Sequence, residues 1–513
     1  MSRRHRRLAS VALATVATVV VAGNTDPVAA HAIGGTFQLP VPLWLYLAGA
    51  AIAVAASFVA TILMSRAGDG RYRVRPVAAG VSDALRLVLR VIGMVWWYGA
   101  IAIGFVVGDI SPLPGVVLWI GIWVGLPIVA VLLGNPWPSL SPFRTTFTML
   151  EWAAGRTGMQ GLDGRLRYPS GLARWPAVGL LAAGIWAEVI LPDGEVAITV
   201  ASVMAGYTLL TLTGMVLFGQ VAWLRNAELL EVELGWFGRI GPVGRRSRRP
   251  ALCDGCGEAC DPSRCIDCPE CSVAADDRER EPILRPWVTG LTDVTRSGWS
   301  DATFIVLALA GVSYDGMRET AFGATLLGVF LPPVQAVLGL SGPAFLLVDT
   351  LAFASVFVAF AVAFTAVVSL TRALADPRGR RSLGTVAGVY AATLLPIAAG
   401  YLIAHYLTLV IQGAVWLPSL IADPLMSLAP ELDWIPIGLV WYLSVAAIVV
   451  GHIAGIVLAH RHARRDAPGR VVLAGLPMVI LMMGYTVLSL WIIAQPIVLE
   501  PGAGPEVAPW MTL

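Results

Sequence analysis

The chain has 513 residues, 57% hydrophobic and only 13% charged, about half the charged fraction of an ordinary globular protein. Cytosolic enzymes, disordered regulators and nucleic-acid binders fit that composition badly. The net charge of +2 sums 35 bases and 33 acids, every base an arginine, which reads as codon bias rather than a need for guanidinium groups.

Residues 1–30 read as a signal peptide. Ser2-Arg3-Arg4-His5-Arg6-Arg7 is a basic head, 8–22 an apolar run, and Val28-Ala29-Ala30 supplies small residues for cleavage. The alternative is an uncleaved first membrane helix. Cleavage would leave His31 at the mature N-terminus, an amine and imidazole together that suit copper, although no external loop carries a second histidine.

Ten further apolar stretches are long enough for a hydrocarbon core of ~30 Å. They lie near 42–64, 86–107, 115–133, 176–192, 196–222, 299–316, 343–369, 385–411, 438–460 and 471–495. The stretch 323–340 reads as a re-entrant or surface helix that Pro332 and Pro333 would break. Cytoplasmic loops accumulate positive charge. With the mature N-terminus outside, thirty of the 35 arginines fall in or beside cytoplasmic loops, and outside the signal segment only Arg318 faces out. The sequence thus predicts an all-α polytopic protein of the plasma membrane with about ten transmembrane helices in two five-helix halves, 31–222 and 299–495. A cytoplasmic loop, 223–298, joins them; a tail, 496–513, follows, and both mature termini lie outside.

All six cysteines fall in that loop, as Cys253, Cys256, Cys260, Cys265, Cys268 and Cys271. Two-residue spacing lets two thiolates reach one ion from a tight turn, and Gly255, Gly257 and Pro269 suit such turns. Thiolates select borderline or soft metals, and a reducing cytoplasm disfavours disulfides. Segment 253–271 is therefore expected to bind zinc, with an iron–sulfur cluster as the alternative and a metal-free cysteine loop as the plain reading. The run Arg245-Arg246-Ser247-Arg248-Arg249 suits anionic lipid headgroups better than nucleic acid.

Ionisable groups inside spans tend to mark ion, proton or cofactor sites. Glu188, Asp349 and His405 sit at similar depth toward the outer ends of three spans, with His452 deeper and His460 eight residues beyond it on the same helical face. Histidine and carboxylate together suit a metal such as copper, and histidine alone suits haem. The bland reading bonds each histidine to a neighbouring helix.

Several segments carry a resemblance. They are Gln38-Leu39-Pro40-Val41-Pro42-Leu43-Trp44-Leu45-Tyr46, Gly134-Asn135-Pro136-Trp137-Pro138 and Val312-Ser313-Tyr314-Asp315-Gly316, followed by Ala404-His405-Tyr406, Gly451-His452-Ile453-Ala454-Gly455 with Leu458-Ala459-His460, and Tyr485-Thr486-Val487-Leu488-Ser489-Leu490-Trp491. In this order they resemble a family of polytopic bacterial and archaeal membrane proteins commonly labelled fenitrothion hydrolase. The resemblance spans most of the membrane part and leaves out the cysteine loop. It implies an organophosphate triester hydrolase, a reaction usually run by metal-activated water, but no HExxH motif or nucleophile elbow anchors that chemistry here. Two other readings are an inverted-repeat secondary transporter and a non-catalytic membrane scaffold that docks a cytoplasmic protein on the cysteine loop. No P-loop is present, so ATP-driven transport by this chain alone is not expected.

Overall fold

The computed structural model describes residues 37–38, 42–64, 74–77, 83–157, 162, 164–247, 266–267, 280–292, 294, 297–339, 341–376, 378–379, 381–425 and 434–499. The signal segment, His31, all six cysteines and the C-terminal tail from 500 lie outside the described residues.

The chain is a multi-pass helical membrane protein. Its long helices are α1 (Leu43–Met64), α2 (Asp83–Val107) and α3 (Leu113–Leu132), the last with a π-helical middle, Val116–Gly125. Then come α4 (Pro142–Arg156), α5 (Trp175–Val189), α6 (Ala197–Phe218), and the short α7 (Gln220–Asn226) and α8 (Leu229–Phe237). The second part contains α9 (Trp299–Arg318), α10 (Ala321–Leu338), α11 (Ser341–Ala375), α12 (Leu383–Ala422), α13 (Ile437–Asp466) and α14 (Val471–Ile497). Among the described residues, nine of these are long and apolar enough to cross a membrane: α1, α2, α3, α6 and α10 to α14. Backbone amides and carbonyls find no water in hydrocarbon, so helices that bond internally are the economical solution. Ile52, Val95, Leu209, Val362 and Ile480 stand exposed on the outer faces of these helices, where a bilayer would cover them. The least apolar long helix, α9, is the most enclosed and carries Asp301, Tyr314, Asp315 and Arg318 through the bundle.

Several helix contacts cross between the first and second parts of the chain. α1 packs on α13 and α14, the π segment of α3 on α12, and α9 on α5 as well as on α11 and α12. A two-residue parallel pair, β1 (Phe37–Gln38) with β5 (Val498–Leu499), ties the beginning of the described chain to its end.

Arginines gather at one end of the bundle. There Arg174 pairs with Asp301, Arg381 with Asp466, and Arg465 donates to the carbonyl of Thr292. A small antiparallel sheet stands at this end, with β4 (Arg280–Leu284) between β2 (Arg75–Pro76) and β3 (Val243–Ser247). At the far end of α9, Arg318 pairs with the buried Asp349 of α11 at 3.1 Å.

That pair fixes the course of α10. Asp349 lies only eight residues into α11, a rise of about 12 Å, too short to return through a core of ~30 Å. α10 therefore leaves and rejoins the same end of the bundle. Contrary to the expected break, it runs continuously through Pro332 and Pro333.

Candidate functional site

Near the far end of the bundle, α5, α9, α12 and the π segment of α3 bring five polar side chains into one hydrogen-bonded chain. Trp123 Nε1 donates to Glu188 Oε2 at 2.5 Å. The Tyr406 hydroxyl lies 3.2 Å from Glu188 Oε1 and 2.8 Å from Asp315 Oδ2, and His405 Nε2 reaches the same Oδ2 at 2.8 Å. The His405 ring stands edge-on to Tyr406, centroids 4.6 Å apart.

Local sequence explains the convergence. A π segment widens the helical turn, a distortion common at functional sites, and it presents Trp119 and Trp123 toward α5. Gly184 accepts the indole there, since a Cβ at that position would sit 2.5 Å from the Trp123 ring. His405 and Tyr406 are consecutive on α12, so one faces Asp315 directly while the other spans Asp315 and Glu188. Side chains of Asp315 and His405 remain 19% and 12% exposed.

Hydrogen counting constrains its protonation. A phenol owns one hydrogen, yet Tyr406 contacts two carboxylate oxygens. Both contacts are satisfied only if one carboxyl group supplies a hydrogen of its own. The network thus holds at least one exchangeable proton between Glu188, Tyr406 and Asp315, beside an imidazole that can take another.

Of the residues expected from sequence, Glu188 and His405 meet here. Asp349 belongs to an adjoining set, where it takes the Tyr314 hydroxyl and pairs with Arg318; Tyr314 and Asp315 are neighbours in sequence. His452 lies elsewhere, fully buried, with Nδ1 on the carbonyl of Ile448 one turn earlier and Nε2 without a partner among the described residues. His460 is buried edge-on against Phe58 of α1. Among the described residues, no three His, Cys, Asp or Glu side chains are grouped to hold a metal. His405 meets Asp315 through Nε2, while His452 and His460 lie on α13. Asp315, Tyr406 and Trp123 were not expected as site residues.

A second group of carboxylates reaches toward this site from the arginine-rich end. The expected cytoplasmic loop begins at 223, but α8 lies within the bundle against α3, α5 and α12, eight of its nine residues buried. Glu228 caps it, accepting the amides of Leu230 and Glu231, the Tyr207 hydroxyl and Trp137 Nε1; burial pushes its carboxyl up to about 7. Glu233, 6% exposed, has Oε2 without a hydrogen-bond partner among the described residues and lies within electrostatic range of Glu188. Burial, reinforced by Glu228, pushes Glu233 from 4.5 up to about 8. A raised acid favours the folded state fully below its unfolded value, and that contribution is lost as pH climbs through the folded value. Melting temperature in detergent is therefore expected to fall between pH 4.5 and about 8, and Glu233→Gln should flatten the upper part of the fall. An identical slope in the variant would contradict the assignment.

No known protein family, curated protein or solved structure matches the chain.

Proposed function

We propose that the chain is a proton-coupled membrane transporter, with His405, Asp315, Tyr406 and Glu188 as its proton-handling centre. The observation that carries this reading is the continuous hydrogen-bonded chain from the His405 imidazole to the Asp315 carboxylate and on through the Tyr406 phenol to Glu188, inside a bundle of mostly apolar helices. Such groups are costly in hydrocarbon and are kept where ions or protons move. Glu233 extends the series toward the arginine-rich end, which faces the cytoplasm of the plasma membrane in this reading. Crossings are made by α1, α2, α3, α5, α6, α9 and α11 to α14, with α10 folded back on the outer side and both mature termini outside. The hydrolase activity implied by the family resemblance calls for a metal-held water, and no observation at this centre favours it.

Proteoliposomes loaded with a pH-sensitive dye test the reading. Under an imposed pH gradient clamped with potassium and valinomycin, the protein should move protons faster than empty vesicles. Asp315→Asn should slow that flux by about tenfold or more, the rate equivalent of ~1.4 kcal/mol. Infrared pH-difference spectra should lose a carboxylic-acid band in the same variant. Flux equal to that of empty vesicles, with no titrating carboxyl band, would remove the proposal.

At the cytoplasmic end, we propose that Cys253, Cys256, Cys260, Cys265, Cys268 and Cys271 supply the thiolates of a zinc site. Asp267, between Cys265 and Cys268 in sequence, is held by Arg285, Arg239 and Arg245, which gives the motif a fixed root. Metal analysis of purified protein should find close to stoichiometric zinc that falls in Cys265→Ser; iron with visible absorbance would replace zinc by a cluster.

A further inference from the structure

At the end of α9 a second carboxylate stands beyond Asp315. Glu319 follows four residues later and keeps helical backbone angles, so the two acids share one face with Cβ atoms about 5–6 Å apart. Glu319 is exposed. A carboxylate open at a helix end belongs in the water or headgroup layer rather than in hydrocarbon.

α12 offers a matching pair. Tyr401 and His405, also four residues apart, hold their ring centroids at 6.0 Å. Gly316, next to Asp315, leaves room for both: a Cβ there would lie 2.8 Å from the Tyr401 hydroxyl oxygen and 3.3 Å from His405 Cε1. That hydroxyl is within electrostatic range of both Asp315 and Glu319. Tyr401 is fully buried, and its hydroxyl has no hydrogen-bond partner among the described residues. A buried, unpaired hydroxyl costs stability that phenylalanine would recover, so packing alone does not account for it.

Taking the chain as a proton-coupled transporter, we propose that Glu319 exchanges protons with the outer medium and that the Tyr401 hydroxyl passes them to Asp315. A proton from the medium first neutralises the Glu319 carboxylate. Tyr401 then accepts that proton as it gives its own to the Asp315 carboxylate. The phenol ends neutral, Glu319 is ionised again, and Asp315 holds the proton. Partial desolvation, and next the Asp315 charge, push the Glu319 carboxyl up from 4.5, with His405 and Arg318 opposing. An acid raised in this way is better matched to exchange near neutral pH.

The test uses the full-length protein in proteoliposomes under the imposed pH gradient. Glu319→Gln should slow proton flux by about tenfold or more, within what a positioned proton donor contributes, and Glu319→Asp should keep most of it. Tyr401→Phe should slow flux comparably while melting at or above the parent temperature. Both Glu319→Gln and Tyr401→Phe should retain the infrared carboxylic-acid band that Asp315→Asn loses. In Glu319→Cys, a membrane-impermeant thiosulfonate bearing a carboxylate should restore flux. One bearing a sulfonate, too strong an acid to hold a proton near neutral pH, should not. The unaltered protein, treated alike, controls for the six native cysteines. Should Glu319→Gln fold poorly, the two reagents still decide, because both add a negative charge and only one can carry a proton. Parent-level flux in Glu319→Gln or Tyr401→Phe, or equal rescue by the sulfonate, would overturn this outer route and leave the transporter reading standing. Flux no faster than empty vesicles in the unaltered protein would remove both.

Discussion

Gly451→Leu is expected to prevent assembly of the second part of the bundle. α12 and α13 cross closely at two glycines: a Cβ on Gly451 would lie 2.3 Å from the carbonyl oxygen of Pro396, and one on Gly400 would lie 2.4 Å from that of Ala447. Both obstacles are backbone atoms, so no rotamer change relieves them and the helices must separate. Among apolar helices in lipid, close backbone approach is a main source of association. Separation would loosen the packing around Ile448, Ile397 and Tyr401, all fully buried. Overpacking of this kind costs about 3 kcal/mol or more. The variant should elute as aggregate, or melt well below the parent when purified in detergent. Gly206→Leu is the control, because Gly206 on α6 has nothing within 4 Å of its Cβ position. Equal loss in both variants, or in neither, would refute the account.

The helix crossing bears on the site, since α12 carries His405 and Tyr406 and must keep its depth relative to α9. A variant that misfolds also loses proton flux. Gly451→Leu and Asp315→Asn are therefore separable only by stability: the second should melt near the parent temperature while its flux falls.

Apolar length and arginine placement made the membrane class, most helices and the arginine-rich end legible in sequence. The site was legible in part. Glu188 and His405 stood out as ionisable groups within apolar runs, but Asp315 sits one turn from the end of its span, where a carboxylate is commonly wetted. Only the fold reveals that it faces His405. Tyr406 carried no signal, because a tyrosine near a helix end is ordinary interfacial furniture. The burial of α8 was hidden for a different reason: nine residues that include Glu231 and Glu233 are too short and too acidic to read as a helix packed into the protein. Their burial depends on Arg144 and on the cap at Glu228, which are tertiary matters. Arg318, the lone arginine expected outside, looked like an exception to the charge rule, and it is matched by the buried Asp349.

Replacing Arg285 should release the sheet at the arginine-rich end. Its side chain is completely buried, with Nη2 on the carbonyl of Gly238 at 3.0 Å, Nε on that of Gly241 at 3.2 Å and Nη1 on Asp267 Oδ2 at 2.5 Å. One guanidinium thus ties the turn after α8 to the segment between β3 and β4. Arg285→Ala leaves Asp267 without its matching charge and two carbonyls without donors. Breaking one side of a buried ion pair costs about 3–5 kcal/mol. Arg285→Lys should recover only part of this, because a single ammonium cannot meet three acceptors placed for a planar fork. The loss should be local. Arg245 bonds Asp267 through its own amide, and β3 pairs with β4 over five residues, so freeing Asp267 loosens both strands while the membrane helices keep their packing. Hydrogen exchange at β3 and β4 should rise by orders of magnitude in Arg285→Ala, with α9 and α13 unchanged and zinc content reduced. Uniform protection across the two proteins would show that Arg285 is not the tie.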